Sequence, residues 1–156
     1  MPVPSLTFKH VPNLQSGKGR AIGFLEGHGQ LDAKHEFDRF KQADDRAVRA
    51  NMEHWVAGNN QPSTKFHGFP NDPDHEHCFV FKHREHRLYG FLCHPKPKTD
   101  AGFQLCALCI HATKHRQATD KAELDRVEGW LIVPGATQAI RQIYPEYRGE
   151  GVKWVI

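Results

Sequence analysis

The segment Phe103–Ala112, FQLCALCIHA, is apolar on both of the faces a strand would present. Successive strand residues point to opposite sides. Phe103, Leu105, Ala107 and Cys109 then line one face, and Cys106, Leu108 and Ile110 the other. Such a strand must be covered above and below, which predicts a central strand in a layered structure of sheet and helices. A helix is predicted to follow. Asp120 caps it, with Glu123 three residues on in capping-box spacing, and Leu124, Val127 and Leu131 form its apolar stripe before Pro134-Gly135 ends it.

The flanking segments supply partners for that strand. His77–His83 and Arg87–His94 read as a hairpin turning at Arg84-Glu85-His86. Residues 32–57 read as two antiparallel helices with a break at Ala43 and Asp44 as the second cap. Phe37, Phe40, Val48, Met52, Trp55 and Val56 mark their apolar side, and Gly58-Asn59-Asn60 stops them. Leu6, Phe8 and Ala21–Leu25 suggest edge strands. Near the end, Ala139, Ile140, Ile143 and Tyr144 suggest a short helix, and Val152, Trp154 and Ile156 alternate like a last strand.

A chain of 156 residues with 38% hydrophobic and 25% charged residues fits one globular domain. No apolar run is long enough to span a bilayer, and the start lacks a signal-peptide pattern, so a cytoplasmic protein with no membrane partner is expected. Its four cysteines are then reduced thiols. Net charge is only +3, so any attraction for a polyanion must come from local patches.

Three patterns carry chemistry. Cys106-x-x-Cys109 followed by His111, with His75, His77 and Cys78 upstream, has the residue types of a zinc site. Strand parity sends Cys106 and Cys109 to opposite faces, so they read as buried thiols and no metal is assigned. Cys93-His94 fails as a nucleophile–base pair for the same reason. The third pattern is cationic: Lys82, Arg84 and Arg87 at the hairpin, and Lys114-His115-Arg116 where the central strand ends. Strand-end cations are held on a rigid support and suit a phosphodiester. RNA can be cut without metal when a base deprotonates the 2′-hydroxyl, cations stabilise the pentavalent anion and an acid protonates the leaving oxygen.

The order of helices, hairpin, central strand and helix resembles the RelE/ParE-like toxins of type II toxin–antitoxin systems, with HigB-like, phage-derived members nearest. The resemblance covers about residues 32–130. It rests on Glu36-Phe37, Lys65-Phe66-His67-Gly68-Phe69, Arg87-Leu88-Tyr89 and above all Lys114-His115-Arg116-Gln117-Ala118-Thr119-Asp120. It implies an α+β fold, a twisted, mainly antiparallel sheet packed against two N-terminal helices, with 1–31 and 131–156 as extensions of a single domain.

The implied activity is metal-free cleavage of mRNA on the ribosome, without a cofactor, by a toxin paired with a cognate antitoxin protein. Lys114, His115 and Arg116 take the catalytic positions. Lys82, Arg87 and Tyr89 take the RNA-binding ones, Tyr89 replacing an aromatic that family members carry near the last helix. A non-catalytic protein of the same fold, binding gyrase, RNA or an antitoxin-like partner, is the second expectation. A zinc-stabilised structural module is the third.

Overall fold

The computed structural model describes residues 6–14, 19–27, 32–99, 102–114 and 121–153. The strands are β1 (Thr7–His10), β2 (Arg20–Glu26), β3 (Phe66–Gly68), β4 (Cys78–His83), β5 (His86–Cys93) and β6 (Gln104–Thr113). The helices are α1 (Ala33–Phe37), α2 (Gln42–Val56), α3 (Lys121–Leu131) and α4 (Pro134–Arg141). The strands form one six-stranded sheet in the order β1-β2-β6-β5-β4-β3. Only the β2–β6 pairing is parallel; the others are antiparallel.

β6 is interior and antiparallel to β5, and both of its faces are buried. On one face Cys106 and Leu108 join Ala33 and Phe37 of α1 and Val48, Met52, Trp55 and Val56 of α2. On the other, Leu105, Ala107 and Cys109 join Leu124 and Val127 of α3 and Ala136, Ala139 and Ile140 of α4. The sheet is therefore the middle of three layers.

One irregularity resets the pattern. Tyr89 pairs with Ile110 but Gly90 pairs with Leu108, leaving Cys109 as an extra residue on β6. This β-bulge changes the parity of everything after it. Ile110, expected opposite Cys109, lies with it on the α3 side. Gly90 permits the close approach: a Cβ there would sit 2.0 Å from the Ala107 carbonyl oxygen and 2.9 Å from Leu108 Cα.

Several expectations are corrected. The helices α1 and α2 follow two strands rather than opening the fold. β2, expected at an edge, is buried between β1 and β6, because its Ala21–Leu25 run is apolar on both faces. The N-terminal extension is thus part of the sheet. The break between α1 and α2 falls at 38–41, and Lys41 is the N-cap in place of Asp44. His86 opens β5, so the hairpin turns on Arg84 and Glu85, with Arg84 at φ 52°.

α3 ends at Leu131, ahead of Pro134 as expected, but Pro134 also starts α4 at its first turn, where a missing N–H costs nothing. Gly58 ends α2 as expected. It has φ 90°, its N–H donates to the Trp55 carbonyl and that of Asn59 to the His54 carbonyl, a Schellman closure. At the C-terminus Gly151 bridges to Cys93; Trp154 and Ile156 lie outside the described residues. Among the described residues no helix is long and apolar enough to cross a membrane.

Gly90→Ala should destabilise the protein by roughly 3 kcal/mol, since the obstructing atoms are backbone and cannot step aside. Gly129→Ala, inside α3 and facing open space, should instead stabilise by about 0.5–1 kcal/mol. Urea denaturation of the two variants checks both signs.

Candidate functional site

The sheet end formed by the β4–β5 turn and the end of β6 carries most of the chain's placed polar chemistry, with a different set on each face. The α3 face holds cations. Lys82 lies two residues beyond Val80 on β4, and Arg87 two residues before Tyr89 on β5; Val80 and Tyr89 both belong to the α3-side core. Lys82 and Arg87 are direct cross-strand partners. Arg87 is paired with Ala112, and Lys114, two residues further, donates its backbone N–H to the Glu85 carbonyl at 2.7 Å. On β3, His67 is opposite Val80. Four neighbouring strands thus present His67, Lys82, Arg87 and Lys114 as a row on one face.

Two members of the row, Lys82 and Arg87, are buried, and His67 and Lys114 are half-buried. Lys82 is 6% exposed and Arg87 3%. Arg87 donates from Nη1 to the carbonyls of Arg84 and His86, bracing the turn. Lys114 Nζ meets Glu123 Oε1 of α3 at 2.8 Å. Burial, then the neighbouring Arg87 charge, lowers the Lys82 pKa. His67 is also lowered. Burial is the main cause, opposed by a hydrogen bond with the Gly68 carbonyl and reinforced by Lys82 and Arg87. Its imidazole is therefore neutral at pH 7 and has a lone pair to offer.

Of the other expected site residues, Tyr89 is fully enclosed in the α3-side core, so its ring has no open face for a base to stack on. His115, Arg116 and the predicted cap Asp120 lie outside the described residues. Glu123, expected to complete the capping box, makes its ion pair with Lys114. His67 was missed as a chemical group. Its motif was visible, but only strand pairing sets it beside Lys82.

The opposite face of the same sheet end holds histidines. His83 Nε2 bonds Asp44 Oδ1 at 2.9 Å, which occupies the carboxylate expected to cap α2. His86 Nδ1 lies 3.0 Å from His111 Nε2, and the Phe40 ring is 4.4 Å from that of His86. The bulge in β6 is what turns His111 to this side. Burial first, then the charge of His86, pulls the His111 pKa down to about 4, against an opposing pull from Glu36.

A third cluster lies at the far end of β4, under α3. His75 is clamped by Asp72 Oδ2 at 2.7 Å and Asp125 Oδ1 at 2.8 Å. Burial opposes the charge on His75, but the two carboxylates outweigh it and raise its pKa. Next to it, His77, Cys78 and Glu128 converge, with their ligand atoms all within 4.8 Å of one another. Cys106 and Cys109 belong to opposite cores, as strand parity requires.

Comparison of the chain with family models, with curated proteins and with solved structures finds no match.

His111 makes acid stability testable. Above pH about 6.5 it is neutral in both folded and unfolded chains. Between about 6.5 and 4 only the unfolded chain takes up the proton, so stability falls through that window and levels off below it. The loss from this one group is on the order of 3 kcal/mol. The charged groups acting on it are His86 and Glu36, with His86 itself beside Asp44 and Glu85, and His111→Phe should flatten the pH dependence of unfolding relative to wild type. A second prediction concerns the enclosed ion pair. Glu123→Ala should cost about 3 kcal/mol by removing the carboxylate from Lys114, while Glu123→Leu with Lys114→Met should recover most of it in the same denaturation assay.

Proposed function

We propose that the chain is an RNA-cleaving protein of the RelE/HigB-like kind, acting on mRNA by metal-independent transesterification. The observation that carries this is the row of His67, Lys82, Arg87 and Lys114 across four adjacent strands. One phosphodiester contacts several cations at once, and a cleavage site needs a neutral base among them. Lys82, Arg87 and Lys114 bring positive charge to the anionic transition state, in an enclosed setting where such charge acts most strongly. His67, held neutral by burial and by its cationic neighbours, accepts the 2′-hydroxyl proton. His115 and Arg116, which directly follow Lys114, remain the proposed proton donor and second phosphate ligand.

The ribosome as the place of action and a small antitoxin as the partner come from the family resemblance. The non-catalytic alternative has one specific support. Arg87 is engaged by two turn carbonyls and Lys114 by Glu123, ties that also fit a purely architectural role.

The test is induced expression with growth curves and mapping of cut RNA ends, followed by cleavage assays with purified protein and ribosomes. Lys82→Gln should lower the cleavage rate on the order of a hundredfold. His67→Gln should lower it by about a hundredfold or more, with folding checked by circular dichroism. The wild-type rate should rise with pH through a pKa below the ordinary histidine value of about 6.5 and be flat at neutrality, since His67 must be unprotonated to act. RNA bound but left intact by wild type would establish the binding alternative.

A further inference from the structure

We infer that His77, Cys78 and Glu128 form a zinc site that fastens α3 to the start of β4, with a fourth coordination position left for water. The inference is independent of RNA cleavage and concerns the opposite end of β4 from the cation row.

The donor set comes first. An imidazole nitrogen, a thiolate and a carboxylate are the three ligand types zinc accepts, and three protein ligands leave one position open. His77 and Cys78 adjoin at the start of β4, and Glu128 comes down from α3. Around one tetrahedral zinc, bonds of about 2.3 Å to sulfur and 2.1 Å to oxygen put those two atoms roughly 3.6 Å apart. Cys78 Sγ lies 3.7 Å from Glu128 Oε1. His77 Nε2 meets the same carboxylate oxygen in direct contact, without the alignment of a hydrogen bond, and is shielded from water with no hydrogen-bond partner. The ligand atoms of His77, Cys78 and Glu128 all lie within 4.8 Å of one another, so one ion could be held among them, and its entry would part the His77–Glu128 pair.

The site is also braced. The His77 carbonyl accepts the Leu92 N–H at 2.8 Å, anchoring the residue to β5. The backbone at Gly151 packs against the imidazole so closely that a Cβ there would come within 2.8 Å of the ring. Cys78 is fully buried, while the side chains of His77 and Glu128 are 19% and 27% exposed, which leaves a way in from solvent. The neighbouring His75 is occupied by Asp72 and Asp125 and is not one of the three ligands. Binding exchanges the Cys78 thiol proton for the metal and releases that proton to solvent.

The experiment uses tag-free, full-length protein. Zinc content is measured after equilibration with zinc and gel filtration, and cobalt(II) is titrated as a spectroscopic probe. Wild type should hold about one zinc per chain, give a thiolate-to-cobalt charge-transfer band, and lose thermal stability when a chelator strips the metal. Cys78→Ser should abolish the band. Glu128→Gln, a partly exposed helix position that should fold normally, should weaken zinc affinity at least about tenfold and remove the chelator effect. Cys106→Ala, on the other face of the sheet, should retain zinc as wild type does. If Cys78→Ser fails to fold, Glu128→Gln decides alone. Wild type that holds less than about a tenth of an equivalent, or a Glu128→Gln protein that binds as tightly as wild type, would overturn the inference. The latter result would assign the zinc to other histidines among the chain's twelve.

Discussion

β6 pairs with β2 along one edge and β5 along the other, and the side chains along most of its length are buried on both faces. Among the described residues no other strand is as long, and both hydrophobic cores are built against it. Its register therefore sets the frame for every other element. The bulge at Cys109 shifts that register against β5, and its consequences reach the end of the sheet that carries the cation row and the histidines. Before the bulge, alternate residues feed the two cores in the ordinary way. After it, Ile110 and Ala112 face α3, and His111 is delivered to the histidine cluster beneath α1 and α2. One inserted residue thereby separates the two chemistries at that end: cations on one face, titratable imidazoles on the other.

Burying several cations beside one another is expensive, and the structure shows how the cost is reduced. Arg87 turns part of its guanidinium onto backbone carbonyls of its own hairpin. Lys114 receives a carboxylate from α3. Lys82 has its protonated form disfavoured by burial and by Arg87.

α3 connects the ends of the molecule. Glu123 in its first turn meets Lys114, Asp125 meets His75, and Glu128 reaches His77 and Cys78. These acidic residues run along one helix and contact Lys114 near one end of β4 and His75, His77 and Cys78 near the other. A metal at the Glu128 end would fix the helix that positions Glu123 at the other. The proposed metal site and the cation row are then related through one helix.

The apolar periodicity of the chain was enough to foresee β6, its pairing with β5, the hairpin, α2 with its glycine stop, and a helix with the apolar stripe of α3. Each follows from local pattern, because burial of a face forces a period of two or of 3.6 on the residues that fill it. Lys82, Arg87 and Lys114 could be singled out for the same reason: charge beside apolar strand residues is visible in one dimension. The place of β2 was not visible, since a parallel pairing depends on a distant crossover and leaves no local mark. Nor was the bulge, which arises where Gly90 lets two backbones close in. His67 joined the cations, and Glu128 joined His77 and Cys78, only when strands and a helix some fifty residues apart in sequence were packed together. The sequence alone determined which segments are strands and helices and which residues carry charge. Only the tertiary structure decided which of those residues meet, because non-local contact depends on register and packing angle, and neither is encoded in any single segment.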